Sequence, residues 1–323
     1  MSGQTTLNIC HAGSLNLAFT AVEKAFAAQN PGVMVNDVSG GSVALAGLLA
    51  SGLQQCDIFA AADYLDIDLL LKPAAVADFT IVFARGRMVL AYLESDPIAR
   101  GVAAAGEFKP PQSIPAAASE WYRVLLQPGV RVSGSHPFLD PSGYRAHMMF
   151  QLAQLHYGVA NLANQLMDHY MLVPAGGSGA PVPALGKDFN LQFIYEHSAA
   201  AAAQSNPSYR YVTLPDRIDL STSANNGHYA RASVTIPARA TPGAKAAATI
   251  PATRVAWGLT IPSKSAHRDE AIAFVKLLLG EAGRGALNEH GPAPISPALV
   301  SNADYARLPR ELHALVKAGD VAP

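Results

Sequence analysis

Two junctions between a strand and a helix pair glycine with serine. "ICHAGSLNLAF" contains Gly13-Ser14, and "GGSVALAG" contains Gly41-Ser42. The first backbone N–H groups of a helix have no partner within it and lie at the positive end of its dipole, so small residues there leave them open to an anion. Ser14 and Ser42 each add a hydroxyl donor. The pattern predicts an anion site at these junctions; the alternative is that both serines are ordinary helix N-caps.

Two junctions further along the chain carry a carboxylate instead. "FLDPSGYRAHMM" places Asp140 before Ser142-Gly143 at the start of a helix, and "FIYEHSAA" places Glu196 at the end of an apolar strand. Both carboxylates then stand beside exposed N–H groups. The alternative is structural: Asp140 caps its helix or pairs with Arg145, and backbone donors satisfy Glu196.

Short strands and amphipathic helices alternate in the first part of the chain. The pattern predicts strands at 7–10, 33–38 and 57–60, and helices at 15–26 and 43–53. After Asp57 the third strand is apolar, as in a parallel sheet that is covered on both faces. Because such sheets bind ligands at the carboxyl ends of their strands, the two serine junctions are expected to converge.

The same alternation recurs later, which predicts a second α/β lobe. The β-rich stretch 79–93 is long enough to pass from one lobe to the other, and 209–214 is expected to return. Lobe I then comprises residues 1–84 and 214–323, and lobe II residues 85–213. Two such crossings allow the lobes to open and close about a hinge.

The remaining segments are assigned by the same patterns. Lobe II is expected to contain, besides an Ala/Pro-rich surface connection at 101–118, helices at 121–126, 144–157 and 198–204 and strands at 130–132 and 191–195. The return to lobe I is expected to contain strands near 232–236 and at 255–261, a helix at 269–279 and a proline-rich loop at 291–297.

Composition narrows the class of protein. Half of the 323 residues are hydrophobic (50%) and only 15% are charged, which supports two buried cores. The 23 Lys and Arg balance 24 Asp and Glu, a net charge of -1, so a nucleic-acid or acidic-membrane surface is not expected. No apolar run reaches the ~18 residues of a membrane helix, and the first residues lack the basic and apolar regions of a secretion signal.

Cys10 and Cys56 are interpreted as structural, with neither a disulfide framework nor a thiolate metal site indicated.

Three other functions are open to these residues. An enzyme would use His11 as base and Ser14 as nucleophile, but no G-x-S-x-G elbow or orienting acid accompanies them. A sulfate or phosphate binder would use the helix starts without the carboxylates. A site for ferric or divalent cations would combine the carboxylates with histidines such as His136, His147 and His197. Nucleotide-binding loops are missing, and no segment remains for a DNA-reading helix-turn-helix.

The ordered motifs resemble those of the molybdate/tungstate-binding proteins of ABC importers, above all the tungstate/molybdate-binding branch of archaea and some bacteria. The resemblance spans most of the chain and is carried by "HAGSL", "PGVMV", "GGSVAL", "DIFAAADY", "DPSGYRAHMMFQLAQLHYG", "IYEHSAAAAAQ", "YVTLPDRIDLS", "WGLTIPSKSAHRDEAIAFVKLLLGEAGR" and "GPAPISPA". It implies a two-lobed periplasmic-binding-protein type II fold of class α/β. Each lobe is then a mixed sheet flanked by helices, with the ligand in the interlobe cleft.

The resemblance also implies roles for the junction residues. Ser14 and Ser42 correspond to the family's oxyanion-binding serines, and Asp140 and Glu196 to the carboxylates that bind the metal centre. The ligand-binding set is completed by small residues and amides at the same junctions, namely Gly13, Gly41, Ser142 and Gly143. Departures from the family pattern lie at 171–188, upstream of Glu196, and at His197 and Ala199. The implied protein is a monomer, periplasmic or tethered to the cell surface, with its leader outside this sequence. It takes no cofactor, performs no chemistry and delivers molybdate or tungstate to an ABC permease.

The presence of two carboxylates at a site for a doubly charged anion requires a physical explanation. Two of them repel it by several kcal/mol in a partly dehydrated site unless they face a positive centre. Molybdenum(VI) and tungsten(VI) are electron-poor centres that can accept two further oxygen ligands, whereas the sulfur of sulfate cannot. Asp140 and Glu196 are therefore expected to attract the metal oxyanions and to repel sulfate.

Overall fold

A computed structural model describes residues 5–99, 120–173, 183–244 and 246–321. Its strands are β1 Thr5–Ala12, β2 Val33–Gly40, β3 Ile58–Ala61, β4 Ile81–Arg85, β5 Met88–Leu93, β6 Val132–Ser135, β7 Tyr170–Val173, β8 Leu191–Tyr195, β9 Tyr209–Thr213, β10 Ser233–Ile236, β11 Ala248–Pro251, β12 Ala256–Thr260, β13 Ala293–Ser301 and β14 Val316–Gly319. Its α-helices are α1 Asn16–Gln29, α2 Ser42–Ala50, α3 Tyr64–Asp66, α4 Tyr122–Leu125, α5 Pro141–Tyr157, α6 Leu162–Asp168, α7 Glu196–Ser205, α8 Asn226–Tyr229, α9 Arg268–Leu279, α10 Glu281–His290 and α11 Asn302–Tyr305. Single turns of 3₁₀ helix include Gly13–Leu15, and Ile67–Leu71 is a π-helical turn.

The chain divides into two compact units. The first comprises Met1–Arg85, Thr235–Ile250 and Ala256–Pro323, and the second Gly86–Val234 and Pro251–Val255. Residues 214–234, which the sequence assigned to lobe I, fall in the second unit in this division. Hydrogen bonds hold them there: the N–H of Met88 donates to the carbonyl of Asp219, and the side chain of Gln151 bonds the backbone of Ser233.

The first unit is built on a seven-stranded mixed sheet with the order β14-β13-β4-β12-β3-β1-β2. Strands β1, β2 and β3 run parallel, and β12 pairs antiparallel with both β3 and β4. Helix α1 packs its buried aromatic residues against α9: the ring centroids of Phe19 and Phe26 lie 6.0 and 5.4 Å from that of Phe274. These residues are the apolar face that the helical spacing predicts.

The second unit is built on a five-stranded mixed sheet with the order β7-β6-β8-β5-β9. Strand β6 is parallel to β7 and β8, whereas β5 is antiparallel to β8 and β9. Helix α5 buries one face against this sheet, with Phe150 edge-on to Phe193 of β8 at a centroid distance of 5.3 Å. Both units are thus mixed sheets with flanking helices, which confirms the predicted α/β class.

One prediction about local structure is corrected. Residues 291–297, predicted as a loop, run into strand β13, which pairs with β4 on one side and β14 on the other. The pairing with β4 is interrupted between Pro294 and Leu299, a register shift that accommodates the prolines. The β-rich stretch expected at 79–93 runs from the first unit into the second as two strands, β4 and β5, separated by Gly86 and Arg87.

The two cysteines form a disulfide, which the sequence analysis did not indicate. Cys10 lies in β1 and Cys56 shortly before β3, and the parallel pairing of these strands brings their Cα atoms to 5.8 Å. Both residues are buried. The cysteines are therefore structural, as expected, and their role is to link two neighbouring strands covalently.

Some expectations lie outside the described residues. The surface connection at 101–118 falls there entirely, as does the middle of the segment 171–188. Within the described ranges, no helix combines the length and the apolar character that a membrane span requires.

Candidate functional site

The two serine junctions lie at one edge of the first unit's sheet. Strands β1 and β2 are adjacent and parallel, with Ala12 opposite Gly40 at their carboxyl ends. The residues that follow are Gly13 and Ser14 after β1, and Gly41 and Ser42 after β2, which we call the serine cluster. The expected convergence of these junctions is therefore present within this unit.

Each serine hydroxyl of the serine cluster accepts a hydrogen bond from a different element. The indole N–H of Trp257, in β12, donates to Ser14 Oγ at 3.0 Å, and the backbone N–H of Ala62 donates to Ser42 Oγ at 2.9 Å. Ser42 is fully buried, Ser14 is half-buried and Gly13 is exposed. Neither serine caps its helix, because α2 has Gly41 as N-cap and no side-chain cap bond forms at either junction. The N-cap alternative is therefore wrong for both.

The two carboxylates lie at one edge of the second unit's sheet. Strands β6 and β8 are adjacent and parallel, with Val132 opposite Leu191. Asp140 follows β6 and precedes α5, and Glu196 follows β8 directly as the first residue of α7. Together with Ser142 and Gly143 we call them the carboxylate cluster.

Asp140 is held in place through one of its two oxygens. Its Oδ1 accepts hydrogen bonds from the N–H of Ser142 at 2.8 Å and from Ser142 Oγ at 2.6 Å, the arrangement of an N-cap. Its Oδ2 accepts no hydrogen bond from any described residue, and no ion pair with Arg145 is present among them. Burial raises the pKa of Asp140 above its usual range, and the Ser142 donors and Arg145 oppose that rise. The cap fixes the orientation of the carboxylate and leaves one oxygen for a ligand.

Gly143 is required by packing against the end of β6. Its N–H donates to the carbonyl of Asp140, and a Cβ at this position would overlap the Ser135 carbonyl oxygen and lie 2.8 Å from the carbonyl carbon of His136. The amides of Ser142 and Gly143 are thus both used inside the first turn. The carboxylate, rather than these amides, is the group that this turn offers to a ligand.

We expect Gly143→Ala to lower the free energy of unfolding by about 1–3 kcal/mol, because backbone atoms must move to admit the methyl group. Gly13→Ala is the matched control, since a Cβ there meets nothing within 4 Å. Chemical denaturation of both variants measures the difference. Equal losses of stability in the two variants would contradict the packing role of Gly143.

Glu196 is paired with an arginine that the sequence analysis did not single out. Arg87, just before β5, places Nε 3.3 Å from Glu196 Oε2 and Nη1 3.6 Å from Asp219 Oδ2, while the N–H of Glu196 donates to the Arg87 carbonyl. Glu196 Oε1 has no hydrogen-bond donor among the described residues. The Glu196 side chain is 38% exposed, whereas that of Asp219 is 1% exposed. Arg87 therefore compensates part of the negative charge at this edge and also orients Glu196.

The buried carboxylate of Asp219 is expected to make the free energy of unfolding depend on pH. Burial raises its pKa to about 7, against the lowering effects of Ser221 and Arg87. Between about pH 4, the unfolded value, and pH 7 the folded state holds the extra proton, so stability falls as the pH rises through this range. We expect Asp219→Asn, which keeps the acceptor for the Ser221 N–H, to gain stability relative to the wild type from pH 4 to pH 7 in denaturant titrations. A difference that does not vary with pH would contradict the assignment.

Buried polar groups connect α5 to the end of β8. Arg145 Nη1 donates to the Tyr195 hydroxyl at 2.8 Å, and both side chains are buried. The neighbouring His147 is largely buried, which lowers its pKa to about 4 and keeps the ring neutral at neutral pH. The Arg145 guanidinium is thus close enough to Asp140 to oppose the rise in its pKa, and it is hydrogen-bonded to the residue that precedes Glu196.

Two alternative sites lack the contacts that they require. For an enzyme, neither ring nitrogen of His11 bonds Ser14, because Nδ1 lies 2.9 Å from the Ala12 carbonyl and Nε2 faces Asp37. For a cation site, no described group of three ligand atoms within reach of one ion includes Asp140, Glu196, His136, His147 or His197.

The features that the sequence analysis missed are long-range contacts. Trp257 is 243 residues from Ser14, and Arg87 is distant in sequence from both of its carboxylates. The only local signal for Arg87 is its position beside Gly86, at the break in the β-rich stretch.

Comparison with known proteins gives consistent matches over nearly the whole chain. A family profile described as "Bacterial extracellular solute-binding protein" matches residues 7–292. An uncharacterized solute-binding protein of Petrotoga mobilis is 30% identical over 96% of this chain and 90% of its own. The molybdate/tungstate-binding protein of Thermococcus kodakarensis is 28% identical over 97% of this chain and 88% of its own.

Two solved structures share the fold at low sequence identity. The sulfate-binding protein of Mycobacterium tuberculosis superimposes with a TM-score of 0.60 at 17% identity, covering 91% of this chain and 88% of that one. The periplasmic molybdate-binding protein of Azotobacter vinelandii gives a TM-score of 0.58 at 15% identity, covering 89% of this chain and 98% of that one. The likeness to periplasmic binding proteins confirms the predicted fold type.

Proposed function

The chain belongs to the bacterial extracellular solute-binding proteins, and from this premise we propose that it captures molybdate or tungstate for an ABC importer. The proposal is supported by the molybdate/tungstate-binding relative, which aligns over almost the full length of both chains. In this proposal the chain acts outside the cytoplasm as a monomer, hands its ligand to a permease and performs no reaction of its own. It requires no cofactor.

One observation carries the choice of ligand. Asp140 is fixed by its helix through Oδ1 while Oδ2 stays open, and Glu196 follows the adjacent parallel strand at the same sheet edge. An anion that offers only oxygen atoms would be repelled by this pair. An oxyanion with an electron-poor metal centre can instead take the two carboxylate oxygens as additional ligands.

The serine cluster supplies the complementary contacts in this proposal. Ser14 Oγ and Ser42 Oγ each accept a hydrogen bond from another element, which orients both side chains, and in this proposal both hydroxyls donate to oxo groups of the ligand. Accessible amides at Gly13 and Gly41 would add neutral donors. Neutral donors hold the oxo groups without a permanent cation, which favours release at the permease.

A calorimetric titration with molybdate, tungstate, sulfate, phosphate and ferric citrate tests the proposal. We expect molybdate and tungstate to bind, and sulfate to bind more weakly by at least about 2 kcal/mol, because it cannot use the carboxylates. Equal affinity for sulfate and molybdate would favour a general oxyanion binder, and binding of ferric citrate alone would favour a cation site. Either result would overturn the proposed ligand.

A further inference from the structure

A second group of potential ligands lies in the first unit and includes no residue of the serine cluster. His11 of β1, Glu23 of α1 and Asp37 of β2 place a nitrogen and two carboxylate oxygens within 4.8 Å of one another. We call these three residues the His-Glu-Asp group. Each comes from a different element, and none has a role in the proposed oxyanion site.

The hydrogen bonding of His11 fixes which nitrogen faces the group. Nδ1 lies 2.9 Å from the carbonyl oxygen of Ala12, and since a carbonyl only accepts, Nδ1 carries the proton. In the neutral ring Nε2 therefore has a lone pair, and it lies 2.7 Å from Asp37 Oδ1. A ring nitrogen whose other N–H is bound to a backbone carbonyl is the usual geometry of a metal-ligating histidine.

Two buried atoms in the group have no hydrogen-bond partner. The His11 side chain is fully buried, and neither its Nε2 nor Glu23 Oε1 is hydrogen-bonded to any described residue. His11 and Asp37 are in contact at Nε2 and Oδ1 without the alignment of a hydrogen bond. A buried lone pair that faces two carboxylates is unfavourable unless a positive charge lies among these groups.

We propose that the His-Glu-Asp group binds one divalent first-row metal ion of the zinc type, with His11 Nε2, one oxygen of Glu23 and one of Asp37 as ligands. One nitrogen and two carboxylate oxygens make a three-ligand set that leaves a fourth, tetrahedral position to water. Ligands about 2.0–2.2 Å from zinc are a little over 3 Å apart, so His11 Nε2 and Asp37 Oδ1, now 2.7 Å apart, must separate slightly, and any pair near the 4.8 Å limit of the group must close around the ion. The Asp37 side chain is 37% exposed, which gives the ion a path from solvent.

Charge and packing support an ion at this position. The carboxylates of Glu23 and Asp37 both face the buried Nε2 of His11, and no Lys or Arg among the described residues forms an ion pair with either carboxylate. The ring of Phe19 contacts His11 with a centroid distance of 4.7 Å and holds the imidazole toward the group. A bound ion would join β1, α1 and β2, and so stabilise the first unit.

Zinc binding to the untagged, chelator-treated full chain tests the proposal. Equilibrium dialysis against ZnCl₂, read by elemental analysis, is expected to give one zinc per chain, with a rise in the unfolding temperature. Glu23→Gln and Asp37→Asn keep the shape of each side chain and are expected to weaken zinc binding by more than about tenfold, the loss that removal of even an outer-shell partner causes. Asp269→Asn, an exposed carboxylate of α9 in the same unit, is the matched control and is expected to bind zinc as the wild type does.

Cobalt(II) gives a second readout that does not depend on stability. Its visible absorption is expected to change on binding to the wild type and to Asp269→Asn, and to stay that of the aqueous ion with a Glu23→Gln, Asp37→Asn double variant. The proposal is overturned if no zinc binds at micromolar concentration, or if both carboxylate variants bind it as tightly as the wild type. Because none of these measurements uses molybdate, their outcome is independent of the proposed oxyanion function.

Discussion

Asp140→Asn is expected to weaken molybdate binding by about 2–5 kcal/mol, on the order of thirtyfold or more, while leaving the protein as stable as the wild type. Asparagine is as good an N-cap as aspartate, so its side-chain oxygen can still accept from the Ser142 N–H. Only the negative charge that faces the ligand is lost. Isothermal titration with molybdate, together with chemical denaturation, measures both quantities.

Asp140→Ala separates the cap from the ligand contact. It removes both functions, so we expect the same loss of affinity and an additional loss of about 1 kcal/mol in the free energy of unfolding. Glu196→Gln is expected to weaken molybdate binding as well, since it removes the second charge. If Asp140→Asn binds molybdate as tightly as the wild type, Asp140 is a helix cap and nothing more.

Removing the disulfide is expected to cause the largest loss of stability. Cys10 and Cys56 are 46 residues apart, and closing a loop of this length stabilises a folded protein by about 4 kcal/mol through the entropy of the unfolded chain. We therefore expect a Cys10→Ser, Cys56→Ser double variant to lose about 2–4 kcal/mol in denaturant unfolding monitored by Trp fluorescence.

A reducing agent provides the control for the disulfide. Dithiothreitol is expected to destabilise the wild type to the level of the double variant and to leave the double variant unchanged. An unfolding midpoint of the wild type that does not respond to reductant would show that the link contributes little to stability. The link also fits an extracytoplasmic protein, since disulfides persist in oxidising compartments.

Much of the fold was predictable because the spacing of apolar residues along a segment indicates whether it forms a helix or a strand. The strand predicted at 191–195 has the bounds of β8, and the helix predicted at 269–279 is α9 with one additional residue. Where pairing with distant strands decides the secondary structure, the local sequence pattern was insufficient. The prolines of β13 indicated a loop, but the strand forms because β4 and β14 pair with it on both sides. Helices α6 and α10 were not predicted at all.

The candidate site was predictable in part for a related reason. The junction residues follow strands in sequence, so a local reading could identify them, and the parallel pairs β1-β2 and β6-β8 bring each pair of junctions to one sheet edge. The groups that orient them come from elsewhere in the chain. The Trp257 donor to Ser14, the Arg87 contact with Glu196 and the Cys10–Cys56 link all depend on the finished fold.

X-ray absorption at the metal edge of bound tungstate or molybdate tests the central claim most directly, because it counts the oxygen atoms around the metal. Free tungstate has four oxygen neighbours. If Asp140 and Glu196 each contribute one oxygen, the bound ion will show six neighbours, two of them at longer distance, and Asp140→Asn will reduce that number. Four equal neighbours in the wild-type complex would mean that the protein holds only the oxo groups, and the proposed role of the carboxylates would be wrong.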